Sequence, residues 1–129
     1  RPWEFFVIEE REHLDVLAGT LPEGLALRTA PVAILVCCNT RQAGLDGGNW
    51  PQELGASVQN LMLQAYGEKL GTTWVGIYPQ MHRVHQVKTL FHLSSEFVPF
   101  AVVAIGRSAD EQSTVPERYD PSKIHFITR

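Results

Sequence analysis

His82 and His85 stand three residues apart. On a helix that spacing puts two imidazoles on one face, where they could share a metal ion. The other ligands would have to come from elsewhere in the chain, and none is marked, so two solvated helix histidines are the simpler reading and no metal site is expected. Cys38 could act as a nucleophile, but it adjoins Cys37 inside the apolar run Ala30–Cys38, and no histidine is placed near it by sequence. In a strand the two thiols would alternate faces and not bond each other, which makes them structural, buried cysteines. There is no Cys-x-x-Cys pair, no Gly-x-Ser-x-Gly elbow, no Gly-x4-Gly-Lys-Ser/Thr phosphate loop and no Gly-x-Gly-x-x-Gly turn. No catalytic side chain is assigned.

The segment Leu70-Gly71-Thr72-Thr73-Trp74-Val75-Gly76-Ile77 is more telling. It leaves a helical stretch through Gly71 and reaches a loop near Gly76. Backbone N–H and C=O groups at such a turn can hydrogen-bond a planar heterocycle edge-on, and Trp74 can supply a flat apolar wall. On spacing alone a core strand with a packed tryptophan explains the same residues. Arg118 follows Thr114-Val115-Pro116-Glu117 in a polar stretch. A guanidinium fork suits a phosphate, although a lone loop arginine is by default a surface residue.

The elements that must position these residues follow from periodicity. Residues 4–9 are aromatic and β-branched and read as a strand. Residues 10–18 read as a short helix with Leu14, Leu17 and Ala18 on one side, and 20–28 as a loop or broken helix. Residues 30–39 form the strongest strand, apolar on both faces, which suits a central position. The stretch 40–49 is polar and glycine-rich. Trp50-Pro51 then opens a helix running to about Lys69, with Leu54, Val58, Leu61, Met62, Ala65, Tyr66 and Leu70 at helical spacing. That helix is more apolar than a surface helix, which calls for a dimer interface or a covered position. Residues 71–78 read as extended, 81–92 as a helix with Val84, Val87, Leu90 and Phe91 inward, and 97–105 as another apolar strand. Residues 108–122 form a polar loop, and 124–128 a short strand or an extended arm. The alternation β-α-β-α-β-α-β favours a layered α/β or α+β fold.

Composition narrows the field. The 129 residues carry 11 lysines and arginines against 14 acidic residues, a net charge of −3. The basic residues are scattered, so no nucleic-acid surface is expected. No apolar run approaches the ~20 residues of a membrane helix. Two apolar-embedded thiols point to a reducing compartment, read as the cytoplasm. The chain opens at Arg1 and runs almost at once into strand, so further residues are expected before it.

These pieces, in this order, resemble the nitroreductase family. Pro2-Trp3-x-Phe5-x-Val7-Ile8 resembles that family's Pro-Trp-x-Phe-x-Val-Val stretch. Gly55-Ala56-Ser57-Val58-Gln59-Asn60-Leu61-Met62-Leu63-Gln64-Ala65 resembles its Gly-Ala-Ala-x-Gln-Asn-Leu-x-Leu-x-Ala helix. Leu70-Gly71-Thr72-x-Trp74-x-Gly76 and Val98-Pro99-x-Ala101-Val102-Val103-Ala104-Ile105-Gly106 resemble the two segments that follow. The resemblance spans essentially all 129 residues as a single domain.

The resemblance implies a three-layer α+β fold, a mainly antiparallel sheet flanked by helices, in an intertwined homodimer. It implies FMN as cofactor and NAD(P)H as co-substrate, with hydride passing through the flavin to nitroaromatic, quinone or related acceptors. The backbone of Trp74, Val75 and Gly76 would face the flavin ring, and Arg118 would hold its phosphate. Residues 119–129 would reach onto the partner subunit, with the helix at 50–70 at the dimer centre. No protein acid or base is strictly required when flavin carries the redox chemistry. The short span 40–49 argues for an open site and a broad acceptor range. The family's opening Arg-x-Ser-x-Arg-type phosphate motif has no counterpart in residues 1–129. Loss of that motif would favour the alternative, a non-catalytic flavin-binding or dimeric interaction module that kept the fold.

Overall fold

The computed structural model describes residues 1–44, 48–108 and 115–128. Four strands, β1 (Trp3–Ile8), β2 (Val32–Asn39), β3 (Gly71–Gly76) and β4 (Phe97–Gly106), form one sheet in the order β1-β2-β4-β3, every pair antiparallel. Helices α1 (Arg11–Thr20), α2 (Trp50–Gly67) and α3 (Met81–Leu90) cover its two faces. The architecture is α+β, as the resemblance implied.

The sheet is central because β2 and β4 are apolar on both sides. One core holds Leu14, Leu17, Leu27, Leu35, Cys37, Val75, Val84, Val87 and Val102, and is closed by α1 and α3. The other holds Val36, Cys38, Leu54, Val58, Phe100, Ala101 and Val103, and is closed by α2. Period-two alternation therefore places Cys37 in one core and Cys38 in the other, both buried as free thiols. Burial pushes the Cys37 thiol up from its ordinary 9.0 to about 12, helped by the Glu4 carboxylate. Burial likewise raises Cys38 to about 11, with a smaller push from Glu53. Neither thiol is poised as a nucleophile.

The register of β2 on β4 shifts between Val36 and Cys37, whose partners are Ala101 and Pro99, so Phe100 is the extra residue of a bulge. Proline has no N–H for the ladder, and a bulge is where a sheet tolerates it.

The helix ends differ from the periodicity by a residue or two, for local reasons. The second helix stops at Gly67 and not at Lys69. The Glu68, Lys69 and Leu70 amides turn back onto the Ala65 and Tyr66 carbonyls, and Lys69 takes a φ of 63°. The third helix stops at Leu90: His92 has a φ of 51°, and the Leu93 N–H reaches back to the Lys88 carbonyl at 3.0 Å. Residues 24–28 form a 3-10 turn. Arg11 clips it to α1, donating to the Leu27 and Ala30 carbonyls and pairing with Asp15 at 3.0 Å.

Of the two readings of 124–128, a short strand or an extended arm, the strand is not formed. A 3-10 turn spans Pro121–Lys123, and residues 124–128 carry no regular structure. All of 115–128 is exposed, including Phe126 at 86% and Ile127 at 101%. With no sheet edge or core to pack on, its backbone has no ladder to join. The middle of the 40–49 connection, the start of Thr114–Arg118, and Arg129 of the expected arm lie outside the described residues.

Candidate functional site

The Trp74–Gly76 segment lies on an edge strand. Because β4 is inserted between β2 and β3, β3 pairs with β4 alone. The Ile77 N–H donates to the Phe100 carbonyl at 3.1 Å, which fixes the phase of the ladder. Antiparallel alternation then directs the Val75 backbone at its partner Val102 and turns the N–H and C=O of Trp74 and Gly76 away from the sheet. The Val75 side chain is 1% exposed and closes the α1–α3 core. Of the three residues marked by sequence, Trp74 and Gly76 present polar backbone outward, and Val75 anchors them.

Side chains alternate with the same period. Trp74 is 38% exposed, and its ring lies 6.1 Å from that of Phe100 in the α2-side core. A Cβ built on Gly76 would meet nothing within 4 Å. Open space thus stands over the backbone beside an exposed indole. Trp50, the first residue of α2, packs against Tyr78 at 4.6 Å and against Phe100 at 6.2 Å between ring centroids. Four aromatic rings therefore line this end of the sheet. The Gly76 carbonyl accepts a 3.3 Å hydrogen bond from Nη1 of Arg83, on the first turn of α3, and the Arg83 Nε is buried with no acceptor among the described residues. A buried donor left unpaired costs about 1–3 kcal/mol.

Arg118 lies in the exposed stretch 115–128. No hydrogen bond, ion pair or ring contact among the described residues joins it to β3. His82 and His85 both stand exposed on α3. Sequence reasoning missed Trp50, Tyr78, Phe100 and Arg83 as neighbours of the Gly76 rim. Only the bulge at Phe100 and the turn after Ile77 bring them together, and neither is a local signal.

The arrangement offers a flat aromatic wall, outward backbone donors and acceptors, and an opening that a side chain at position 76 would fill. These suit one edge of a planar, polar heterocycle. Residues present thus fit the ring of a flavin.

Comparison with known proteins bears on the family and the fold. The sequence pattern of the nitroreductase family matches residues 18–107. A protein of Methanothermobacter thermautotrophicus, provisionally named an NADH dehydrogenase/NAD(P)H nitroreductase, is 36% identical over 126 residues, 98% of this chain. The chain spans 65% of that relative's length. A solved structure from Clostridium acetobutylicum, provisionally named an NADH oxidase, superposes with a TM-score of 0.90 at 33% identity, over 96% of this chain and 74% of that one. A provisional nitroreductase from Desulfovibrio desulfuricans, solved in complex with FMN, gives a TM-score of 0.71 at 30% identity, over 91% of this chain and 67% of that one. With its sheet, its covering helices and the greater part of its sequence matching in the same order, this chain belongs to the nitroreductase family.

Proposed function

We propose that this protein is an FMN-dependent oxidoreductase that passes electrons from NAD(P)H to nitroaromatic, quinone or related acceptors. The observation that carries the reading is the outward backbone of Trp74 and Gly76 at the free edge of β3, with open space over Gly76. The FMN bound by the Desulfovibrio desulfuricans relative supports the same cofactor here.

In this reading Trp74 and Gly76 hold the ring, Val75 anchors the strand beneath them through the ladder and the core, and Arg118 holds the phosphate. Bound flavin would supply hydride acceptance and donation. The chain supplies position and surroundings. Outward N–H groups at the rim favour negative charge building on the ring edge, because fixed dipoles need no reorganisation. Trp74 and Phe100 keep one side of the site apolar. With no acid–base side chain assigned, substrates are sorted by what can stack on the exposed face of the bound ring.

The protein acts as a homodimer in this reading. Leu63 and Tyr66 of α2 are 59% and 57% exposed, and the apolar residues of 115–128 stand clear of both cores. An apolar helix face and an apolar arm left in solvent support a second copy as their cover. Among the described residues no helix is long and apolar enough to cross a membrane.

The deciding experiment is the visible spectrum of the purified protein with added FMN, before and after anaerobic NADH and then NADPH. A flavin band that bleaches is expected. A bound band that neither nucleotide bleaches would leave a flavin-binding module, and no bound band would refute the reading. Arg118→Ala should weaken FMN binding by about 1.5–3 kcal/mol, the worth of a charged hydrogen bond. Unchanged affinity would remove Arg118 from the site.

A further inference from the structure

Gly76 is the rim residue with the most conformational freedom, since it has no side chain. Yet the peptide joining Gly76 to Ile77 is held at both ends. Its N–H donates to the Phe100 carbonyl at 3.1 Å, and its carbonyl accepts from Arg83 Nη1 at 3.3 Å. A planar unit fixed at both its hydrogen and its oxygen cannot rotate. Arg83 also lacks a counter-charge: no carboxylate among the described residues lies within 4 Å of its guanidinium. Its Nε is buried without an acceptor. A half-buried, unpaired cation is a poor device for stability alone.

We propose that Arg83 is a positioning residue of the flavin site: its guanidinium locks the Gly76 carbonyl and sets an uncompensated positive charge behind the rim. The inference rests on the flavin reading above. The lock fixes the plane of the peptide that follows Gly76, and so holds the end of the rim in one orientation. The charge favours whichever state of the bound ring is more negative, which is the reduced one.

The test uses the full-length protein as wild type, Arg83→Met and Arg83→Lys. Three readouts are taken: FMN affinity, the midpoint potential of bound FMN, and amide exchange at Ile77 and Tyr78 in the FMN-free protein. Arg83→Met is expected to bind FMN about tenfold more weakly and to exchange both amides faster. Its preference for reduced over oxidised FMN should fall about tenfold, a shift of ~30 mV for two electrons. Arg83→Lys keeps the charge and loses the fork, so the potential should return while exchange stays fast. Should the methionine variant not fold, Arg83→Gln keeps a donor, loses the charge and carries the same expectation for the potential. Wild-type affinity and potential in the charge-free variant, even with a lowered melting temperature, would overturn the inference by reducing Arg83 to a packing contact. A wild-type protein that takes up no FMN would overturn the flavin reading itself, and this inference with it.

Discussion

Gly76→Ala separates the needs of the fold from those of a ligand. An added Cβ at this position meets nothing within 4 Å, and the Ala101 cross-strand partner is small. The backbone of Gly76 is not in the left-handed region. Alanine also restricts the unfolded chain more than glycine does. The variant should therefore be as stable as wild type or gain up to about 1 kcal/mol. Ligand binding should respond in the opposite sense. The methyl group stands in the open space beside Trp74, and a ring pressed against this rim would have to withdraw by an ångström or more. Backbone hydrogen bonds that start near 2.9 Å are largely lost over that distance. One or two such bonds, at about 1 kcal/mol each, correspond to a five- to thirtyfold weaker complex. Urea unfolding reads the first quantity, and FMN fluorescence quenching on titration reads the second. Stable protein with unchanged FMN affinity would refute the placement of the ring at Gly76. A loss of more than 1 kcal/mol in stability would refute the claim that this space is empty in the folded chain.

Other perturbations probe the scaffold. Leu54→Ala should cost about 2–5 kcal/mol in urea unfolding, because Leu54 is 0% exposed where α2 meets the sheet; a cost below 1 kcal/mol would mean that α2 packs loosely. Gly106→Ala should cost about 1–3 kcal/mol, since its Cβ would fall 2.9 Å from the Pro31 ring; an unchanged melting temperature would show that the ring can move aside. High pH should destabilise the protein through Cys37. The unfolded thiol loses its proton near 9.0 and the folded one near 12. The folded state thus retains a proton that the unfolded state has lost, so this contribution is complete below pH 9 and fades as pH rises toward 12. Its ceiling is about 4 kcal/mol, from 1.36 kcal/mol per unit. Equal pH dependence of stability above pH 9 in wild type and Cys37→Ala would contradict it. The same burial should leave both thiols unlabelled by iodoacetamide at pH 8 until the protein is unfolded.

The residues of β2, α2 and β4 declared themselves because their signals are local. Ala33–Cys38 is apolar without interruption, and only a strand covered on both faces tolerates that. Leu54, Val58 and Ala65 recur at helical period and are the buried residues of α2. Cys37 and Cys38 had to part because adjacent side chains on a strand point to opposite faces. Trp74 and Gly76 could be marked as a contact for a ring, but spacing alone favoured a core strand with a packed tryptophan.

What spacing could not supply is the strand order. Sequence alone determined which segments are strands and helices, which faces are apolar, and the resemblance that names the family. Tertiary structure decided that β4, last in the sequence, inserts between β2 and β3 and leaves β3 at the edge. Edge position is what turns the polar groups of Trp74 and Gly76 outward. It also determines that Trp50, Tyr78, Phe100 and Arg83 meet there, from a helix start, a turn, a bulge and a second helix. Pairing between distant strands depends on how whole faces are covered, and no local period records it.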